Sequence, residues 1–352
     1  MIAFKDGLTI GGDSPIRVNC NIGCNKIEDI QSEISKIEFI QSCNELPDMM
    51  MDLSLIELEE PLYNYIKNNL GLPFGVVLSY HRFTKSKGYQ WEDIRDAFLQ
   101  LCYDGVSFVT IHFTADLDLF SRANQIRKIP VTSRGGGMVL YDSRINNRTQ
   151  NIFRENIDEI ANIALKHNVV ISLGTTFRPG TILDACDSVH IEETLRQLSI
   201  CRLLQSKGVK VMVENIGHIT LDKIATHSKL LSKFNAPIMP LGPLPTDAAI
   251  NEDHVANAIG ATFAAYIGCT HIINCVTRYE HSKSAITQDA IIEAIRAAKV
   301  AAHIADLSRN INKAYLYDAF ITNNRIKEHS CLTDSNNCTR CSTVCPLKLT
   351  SI

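Results

Sequence analysis

Nine short apolar runs, each ending in polar or glycine-rich residues, alternate with helix-length intervals along this chain. They are IRVNCNI (16–22), DMMMDLS (48–54), FGVVLSY (74–80), SFVTIHF (107–113), IPVTSRG (129–135), VVISLG (169–174), VKVMVEN (209–215), APIMPLG (236–242) and HIINCVT (271–277). Strand-helix alternation repeated this often indicates a parallel sheet, and near-continuous apolar strands indicate one covered on both faces. Between the first two runs, Ile27, Ile30, Ile34, Ile37 and Ile40 recur at three- and four-residue spacing, which predicts an amphipathic helix. The fold class is therefore α/β, and a (β/α)8 TIM-type barrel fits best. A barrel needs eight strands, so one of the nine runs is an N-terminal extra or not a strand at all.

At 352 residues and 45% hydrophobic content, the chain can bury one barrel-sized core and carry an appendage. The formal charge of −3 gives no basic field for nucleic acid or for a membrane surface. The start, MIAFKDGLTIGGDSP, has no charged lead into an apolar segment, and no apolar run reaches spanning length, so a cytoplasmic protein is expected. Twelve cysteines without a secretory signal read as reduced thiols and ligands. The expected organisation is a barrel over 1–282, a helical segment over 283–328 and a cysteine-bearing tail over 329–352.

That tail holds Cys338, Cys341 and Cys345 in a C-x2-C-x3-C cluster. Three thiolates suit an iron–sulfur cube better than structural zinc, which takes four protein ligands, because the cube then keeps one iron open for a small molecule. Half of a zinc site completed by His329 or Cys331, or three unrelated thiols, are the alternatives at this point. In a barrel the C-terminal strand ends carry the site. Here they supply Asn21, Met51, Tyr80, His112, the SRGGG segment at 133–137, LGTTFRPG at 173–180, ENIGH at 214–218 and YEH at 279–281. SRGGG offers backbone N–H groups, a hydroxyl and a guanidinium to a phosphate, which suggests a phosphorylated substrate. His218 and His281, near Glu214 and Glu280, are candidate ligands for a divalent metal with open positions. A lone strand-end histidine is otherwise an ordinary surface or core residue.

The ordered set of SRGG, LG-x-x-x-RPG, VMVE-x-x-GH, APxxxLGPLxTD (236–247), DHVANAIGA (253–261), EH (280–281), KVAAHIADL (299–307) and the cysteine cluster resembles the radical AdoMet phosphomethylpyrimidine synthase (ThiC) family. The resemblance runs from VNCNIG (18–23) to the tail. It implies a 4Fe-4S cluster on Cys338, Cys341 and Cys345 that binds S-adenosyl-L-methionine and reduces it to a 5′-deoxyadenosyl radical. The radical would attack 5-aminoimidazole ribotide and begin a rearrangement of ribose carbons, in a barrel that shields it from water. By motif position the resemblance implies substrate contacts at Asn21, Met51, Tyr80, His112, Ser133, Arg134, Gly135, Arg178 and Glu214, and metal ligands (zinc or iron) at His218 and His281. It further implies a reduced flavodoxin or ferredoxin as electron donor, and a homodimer in which the tail closes over an active site.

The chain departs from the thiamine-pathway pattern where the substrate pocket is expected. DGLRPG has become TTFRPG, placing Thr175, Thr176 and Phe177 before Arg178; EGPGH has become ENIGH; and the tyrosine of APFY is Met239. Losing a carboxylate at 175 removes about 1.5–3 kcal/mol of charge-assisted bonding to sugar hydroxyls. These changes suggest a paralog of the 5-hydroxybenzimidazole synthase (Bza) type, which makes a cobamide lower-ligand precursor from the same ribotide, alone or with a second paralogous chain. A divergent phosphomethylpyrimidine synthase is the second reading, and an inactive partner subunit the third. Retention of the three cysteines, both histidines, SRG and Arg178 argues against loss of chemistry.

Overall fold

The computed structural model describes residues 1–283, 285–328, 330–332 and 338–349. Contacts divide the chain into two units, Met1–Ala305 and Asp306–Ile352. The first unit opens with a small antiparallel hairpin, β1 (Ile2–Ala3) and β2 (Thr9–Ile10). Eight parallel strands follow: β3 (Arg17–Ile22), β4 (Met49–Asp52), β5 (Phe74–Val77), β6 (Phe108–Ile111), β7 (Val170–Leu173), β8 (Val211–His218), β9 (Ile238–Leu244) and β10 (Ile272–Asn274). Each pairs with its sequence neighbour from β3 to β9, and β10 pairs β3, the order of a (β/α)8 barrel. The remaining seam, between β9 and β10, carries a hydrogen bond from His271 N–H to Ile238 O at 2.9 Å.

Eight of the nine apolar runs are thus barrel strands, and the odd one is IPVTSRG. Pro130 has no N–H to give a ladder, and Ser133 is the N-cap of a helix, Arg134–Ile145, its Oγ accepting from Gly136 N–H at 3.1 Å. The segment therefore turns from loop into helix where a strand was expected. The isoleucine stripe forms a helix over Ile30–Ser42 that buries Ile37 and Ile40 completely, while Ile27 lies in a 3-10 turn and is exposed.

Side chains alternate along a barrel strand, so one set faces the axis. The lower part of that set is apolar: Met49, Met51, Val77, Phe108, Val170, Met212, Met239 and Ile272 form one buried cluster. Phe4 and Ile10 of the hairpin join it, with Phe4 stacked on Phe108 at 5.4 Å between ring centroids. The hairpin therefore closes the floor of the barrel. Two residues further along the strands the inner face becomes polar, through Thr110, Ser172, Glu214 and Asn274. The change from apolar to polar along β6, β7, β8 and β10 puts a floor at one end and chemistry at the other.

Phe108 fits because Gly75 has no side chain; a Cβ there would stand 2.2 Å from the phenyl ring. Gly75→Ala should therefore lower stability by about 1–3 kcal/mol, the cost of overpacking a filled core. A shift in the denaturant midpoint at unchanged slope would show it, and an unaltered midpoint would mean that the ring can move aside.

The helix Gln288–Ser308 packs Ala298, Ala301, Ala302 and Ala305 against Ile16, Val18 and Ile273, so the barrel unit extends past the boundary expected at 282. Small residues let this helix lie close to strands β3 and β10. The second unit contains the helix Asn312–Lys327, with Tyr315, Leu316, Tyr317, Phe320 and Ile326 exposed, and the segment bearing Cys338, Cys341 and Cys345. His329, one alternative zinc ligand, lies outside the described residues. Among the described residues no helix is long and apolar enough to cross a membrane.

Candidate active site

A cavity of about 640 Å³ opens at the C-terminal ends of the strands. Of the residues singled out in the sequence, Asn21, Arg134, Arg178, His218 and His281 line it, together with Glu280. Met51, His112, Ser133, Gly135, Glu214 and Met239 are buried, and Tyr80 is half-buried.

Glu214 stands at the polar end of β8, where its Oε1 accepts from Thr110 Oγ1 at 2.6 Å and Ser172 Oγ at 3.0 Å. Burial raises its pKa above the ordinary carboxylate value, against the pull of those hydroxyls and of Arg178. Met239 is its register partner on β9 and is fully buried, so an apolar side chain adjoins the carboxylate on the inner wall. Across the barrel, Asn19 Nδ2 donates to Asn21 Oδ1 and Asn274 Oδ1, and Asn274 Nδ2 donates to Pro240 O, tying β3, β10 and β9 together.

His112 is buried against the start of the SRGGG helix. Its Nε2 lies 3.0 Å from Ser133 Oγ, its Nδ1 3.5 Å from Ser79 Oγ, and a Cβ on Gly135 would come within 2.4 Å of the ring. Glycine is required there for close packing. Two N–H groups assigned to a phosphate from the sequence are also spent internally, Gly136 N–H on Ser133 Oγ and Gly137 N–H on Ser133 O. The helix start still leaves its first N–H groups, and Arg134 stacks over Tyr80 at 5.4 Å.

Burial, reinforced by Arg178, pushes the His112 pKa down to about 3. The unfolded chain takes this proton near the ordinary value and the folded chain does not. His112 therefore destabilises the fold increasingly as pH drops below about 6.5, by up to about 1.4 kcal/mol per pH unit, until the folded pKa is reached. In acid titrations of stability, His112→Gln should have a flatter acid limb than the parent; parallel limbs would mean that the imidazole protonates in the folded state.

Thr175, Thr176 and Phe177 are fully buried rather than facing the cavity. Glu193, which the sequence reading did not single out, holds this loop: it accepts from Thr176 N–H at 2.6 Å, Phe177 N–H at 2.8 Å and Thr114 Oγ1 at 2.7 Å. The hydroxyls of Thr175 and Thr176 are buried and have no hydrogen-bond partner among the described residues.

His218 and His281 meet edge to face with ring centroids 4.8 Å apart. His218 Nδ1 lies 2.7 Å from Asp247 Oδ1, and His281 Nδ1 lies 2.8 Å from Asp253 Oδ1. An ionised carboxylate only accepts, so both Nδ1 atoms donate and both Nε2 atoms are left for another partner. Burial lowers the His218 pKa, which keeps that ring neutral as a ligand must be. Asp247 also accepts from Thr181 Oγ1 and Ile182 N–H, which fixes it in place. These two aspartates were missed as functional residues, although each belongs to a motif already quoted, LGPLxTD and DHVANAIGA.

The three tail cysteines are free thiols and none is buried, so as a donor set they fit an iron–sulfur cluster. Cys341 and Cys345 flank a 3-10 turn, Ser342–Val344, that precedes the short helix Pro346–Leu349.

Comparison with known proteins adds independent support. A phosphomethylpyrimidine synthase of Sulfurisphaera tokodaii is 34% identical over 329 residues, covering 90% of this chain and 75% of its own. Those of Thermotoga petrophila, 30% identical over 318 residues, and Pyrobaculum aerophilum, 31% over 322, each cover 88% of this chain and 74% of their own length. The model of the radical SAM ThiC family matches residues 4–331, from the floor hairpin through the barrel and past the helix Asn312–Lys327. With that match spanning most of the chain, the chain belongs to the radical SAM ThiC family.

Proposed function

We propose that this enzyme rearranges 5-aminoimidazole ribotide by radical AdoMet chemistry, with phosphomethylpyrimidine as product. The observation that carries this reading is the meeting, at one barrel mouth, of Arg134, Arg178 and the paired histidines in a chain whose curated relatives bear that synthase name.

A 4Fe-4S cluster on Cys338, Cys341 and Cys345 supplies, when bound, the electron that cleaves AdoMet reductively. Arg134 and Arg178 give the phosphate two guanidiniums, which favour bidentate pairing with its oxygens. Glu214 accepts from ribose hydroxyls, held in aim by Thr110 and Ser172. Asn21, Met51, Tyr80 and His112 complete the cup that holds the ring and keeps water out. His218 and His281, oriented by Asp247 and Asp253, are the proposed ligands of a zinc or iron ion with open positions for substrate or AdoMet. A reduced flavodoxin or ferredoxin serves as donor, and the working unit is a homodimer or a pair with a paralogous chain.

A second reading, 5-hydroxybenzimidazole as product, is favoured by the altered pocket. Met239, where the thiamine pattern has a tyrosine, stands beside Glu214 on the inner wall. A ribose held by fewer fixed bonds can follow another radical course. Anaerobic incubation with AdoMet, reductant and the ribotide, followed by mass spectrometry, decides between the two. Phosphomethylpyrimidine as main product supports the first reading, 5-hydroxybenzimidazole the second, and no ribotide consumption rejects both in favour of a partner subunit.

The metal assignment has its own test. In a Cys338→Ala background, His218→Ala and His281→Ala should each lower bound divalent ion at least about tenfold, because neither imidazole alone holds it tightly. Elemental analysis after dialysis reads this, and unchanged content in both variants would remove the assignment.

A further inference from the structure

Outside the cavity, two histidines and a cysteine converge between the helices that follow β7 and β8. His190 is on the helix Ser188–Ser206, His227 is on Leu221–Leu231, and Cys186 lies just before the first of these. A ring nitrogen of each histidine and the Cys186 sulfur all lie within 4.8 Å of one another. The rings stack at 4.1 Å, and both are buried.

The hydrogen bonds around the cluster set which atoms remain available. Asn215 Oδ1 accepts from Ile216 N–H, which fixes the amide's orientation, and it lies 3.0 Å from His227 Nε2. An amide oxygen only accepts, so His227 Nε2 donates and its Nδ1 keeps a lone pair. On His190, Nδ1 accepts from Cys186 N–H at 3.3 Å, so the neutral ring carries its proton on Nε2 and its lone pair on Nδ1, the nitrogen that an entering ion would take in place of that long hydrogen bond. Cys186 is held at φ +62°, a left-handed conformation unusual for a side-chain-bearing residue, and is partly exposed, which leaves a route to the cluster.

We propose that Cys186, His190 and His227 form a binding site for a borderline divalent ion of the zinc class, separate from the His218 and His281 pair. One thiolate and two imidazoles are the donor set such an ion selects over magnesium or calcium, and a fourth position is left for water on the Cys186 side. Asn215 is the orienting partner behind His227, as a carboxylate or amide usually is behind a ligating histidine. Burial, reinforced by the His227 ring, keeps His190 neutral, and burial alone brings His227 down to about 4, so neither competes as a cation. Burial raises the Cys186 thiol, against the pull of Lys223, so metal entry releases a proton. Arg127 is paired with Asp187, and Lys223 Nζ donates to the Ile182 and Ala185 carbonyls, so both nearby cations are engaged elsewhere.

Through Asn215 the ion reaches the active-site wall. Asn215 Nδ2 donates to Gln197 Oε1, and Gln197 Nε2 donates to the carbonyls of Leu173, Gly174 and Glu214. The ion would therefore brace the strand ends that carry Glu214 and the loop to Arg178.

The test uses the full chain with His218→Ala, His281→Ala, Cys338→Ser, Cys341→Ser and Cys345→Ser, so that the other proposed sites are removed. Dialysed against zinc, it should retain about one ion per chain. Loaded with cobalt instead, it should show a thiolate-to-cobalt charge-transfer band and the intense visible bands of tetrahedral coordination. Adding Cys186→Ser should abolish the charge-transfer band and lower retained zinc at least tenfold, with His227→Asn also lowering zinc. If the multiple variant does not fold, Cys186→Ser in the otherwise native chain should lose one zinc equivalent while cluster iron is unchanged. Retained zinc below about a tenth of an equivalent in the parent, or a cobalt spectrum indifferent to Cys186→Ser, overturns the proposal.

Discussion

Protein reconstituted anaerobically with iron and sulfide should hold about four irons per chain and cleave AdoMet, and replacing Cys338, Cys341 or Cys345 with Ala should reduce cleavage by about a thousandfold or more. The size of the effect follows from ligand arithmetic, because a cube with two protein thiolates has lost the coordination that leaves one iron for AdoMet. None of the three cysteines is buried, so their removal opens no cavity and the barrel should melt as before. Cys20 and Cys24, buried at the first strand end, should be dispensable for assembly. Full cleavage in all three variants would end the radical assignment for this tail.

Glu214→Gln should lower kcat/KM for the ribotide by about a hundredfold, near 2.7 kcal/mol of transition-state stabilisation, while the fold survives. Glutamine keeps an oxygen for the Thr110 and Ser172 hydroxyls but no longer carries the charge that faces Arg178 and that, in the proposed function, receives the ribose hydroxyls. Glu214→Ala should add a stability loss of about 1–3 kcal/mol, since it leaves two buried hydroxyls without their acceptor. The pH dependence carries a sign. With a folded pKa raised above the unfolded one, Glu214 loses stabilisation as pH rises from the ordinary carboxylate range through its folded pKa. The stability of Glu214→Gln relative to the parent should therefore increase across that window. A constant difference between the two would mean that the carboxylate is solvated and ordinary.

The barrel strands were legible because a parallel strand buried on both faces needs an unbroken apolar run, and eight such runs stand out. IPVTSRG failed because its composition is strand-like while its role is set by Ser133 capping the following helix. The floor hairpin, with two-residue strands, is too short to show a period, so Phe4 could not be assigned to the core from sequence. Within the site, residue types at strand ends were readable; the pairings behind them were not. His218 meets Asp247 and His281 meets Asp253 only because the barrel brings separate loops together. Thr175 and Thr176 were read as pocket residues from motif position, but both are buried beside Glu193, which holds the Thr176 and Phe177 N–H groups, and that carboxylate lies on a helix whose face cannot be fixed from one sequence.

Phe4 and Ile10 close the far end of the barrel beneath the inner apolar layer. The cup is consequently closed beneath, so under the proposed function ribotide and product pass through the same mouth, and the next ribotide waits for the previous product to leave. Product should thus compete with ribotide in steady-state kinetics, and fast turnover depends on whatever opens that mouth. A protein attached at Met1 emerges at the sealed end, so fusion there should leave traffic through the doorway undisturbed.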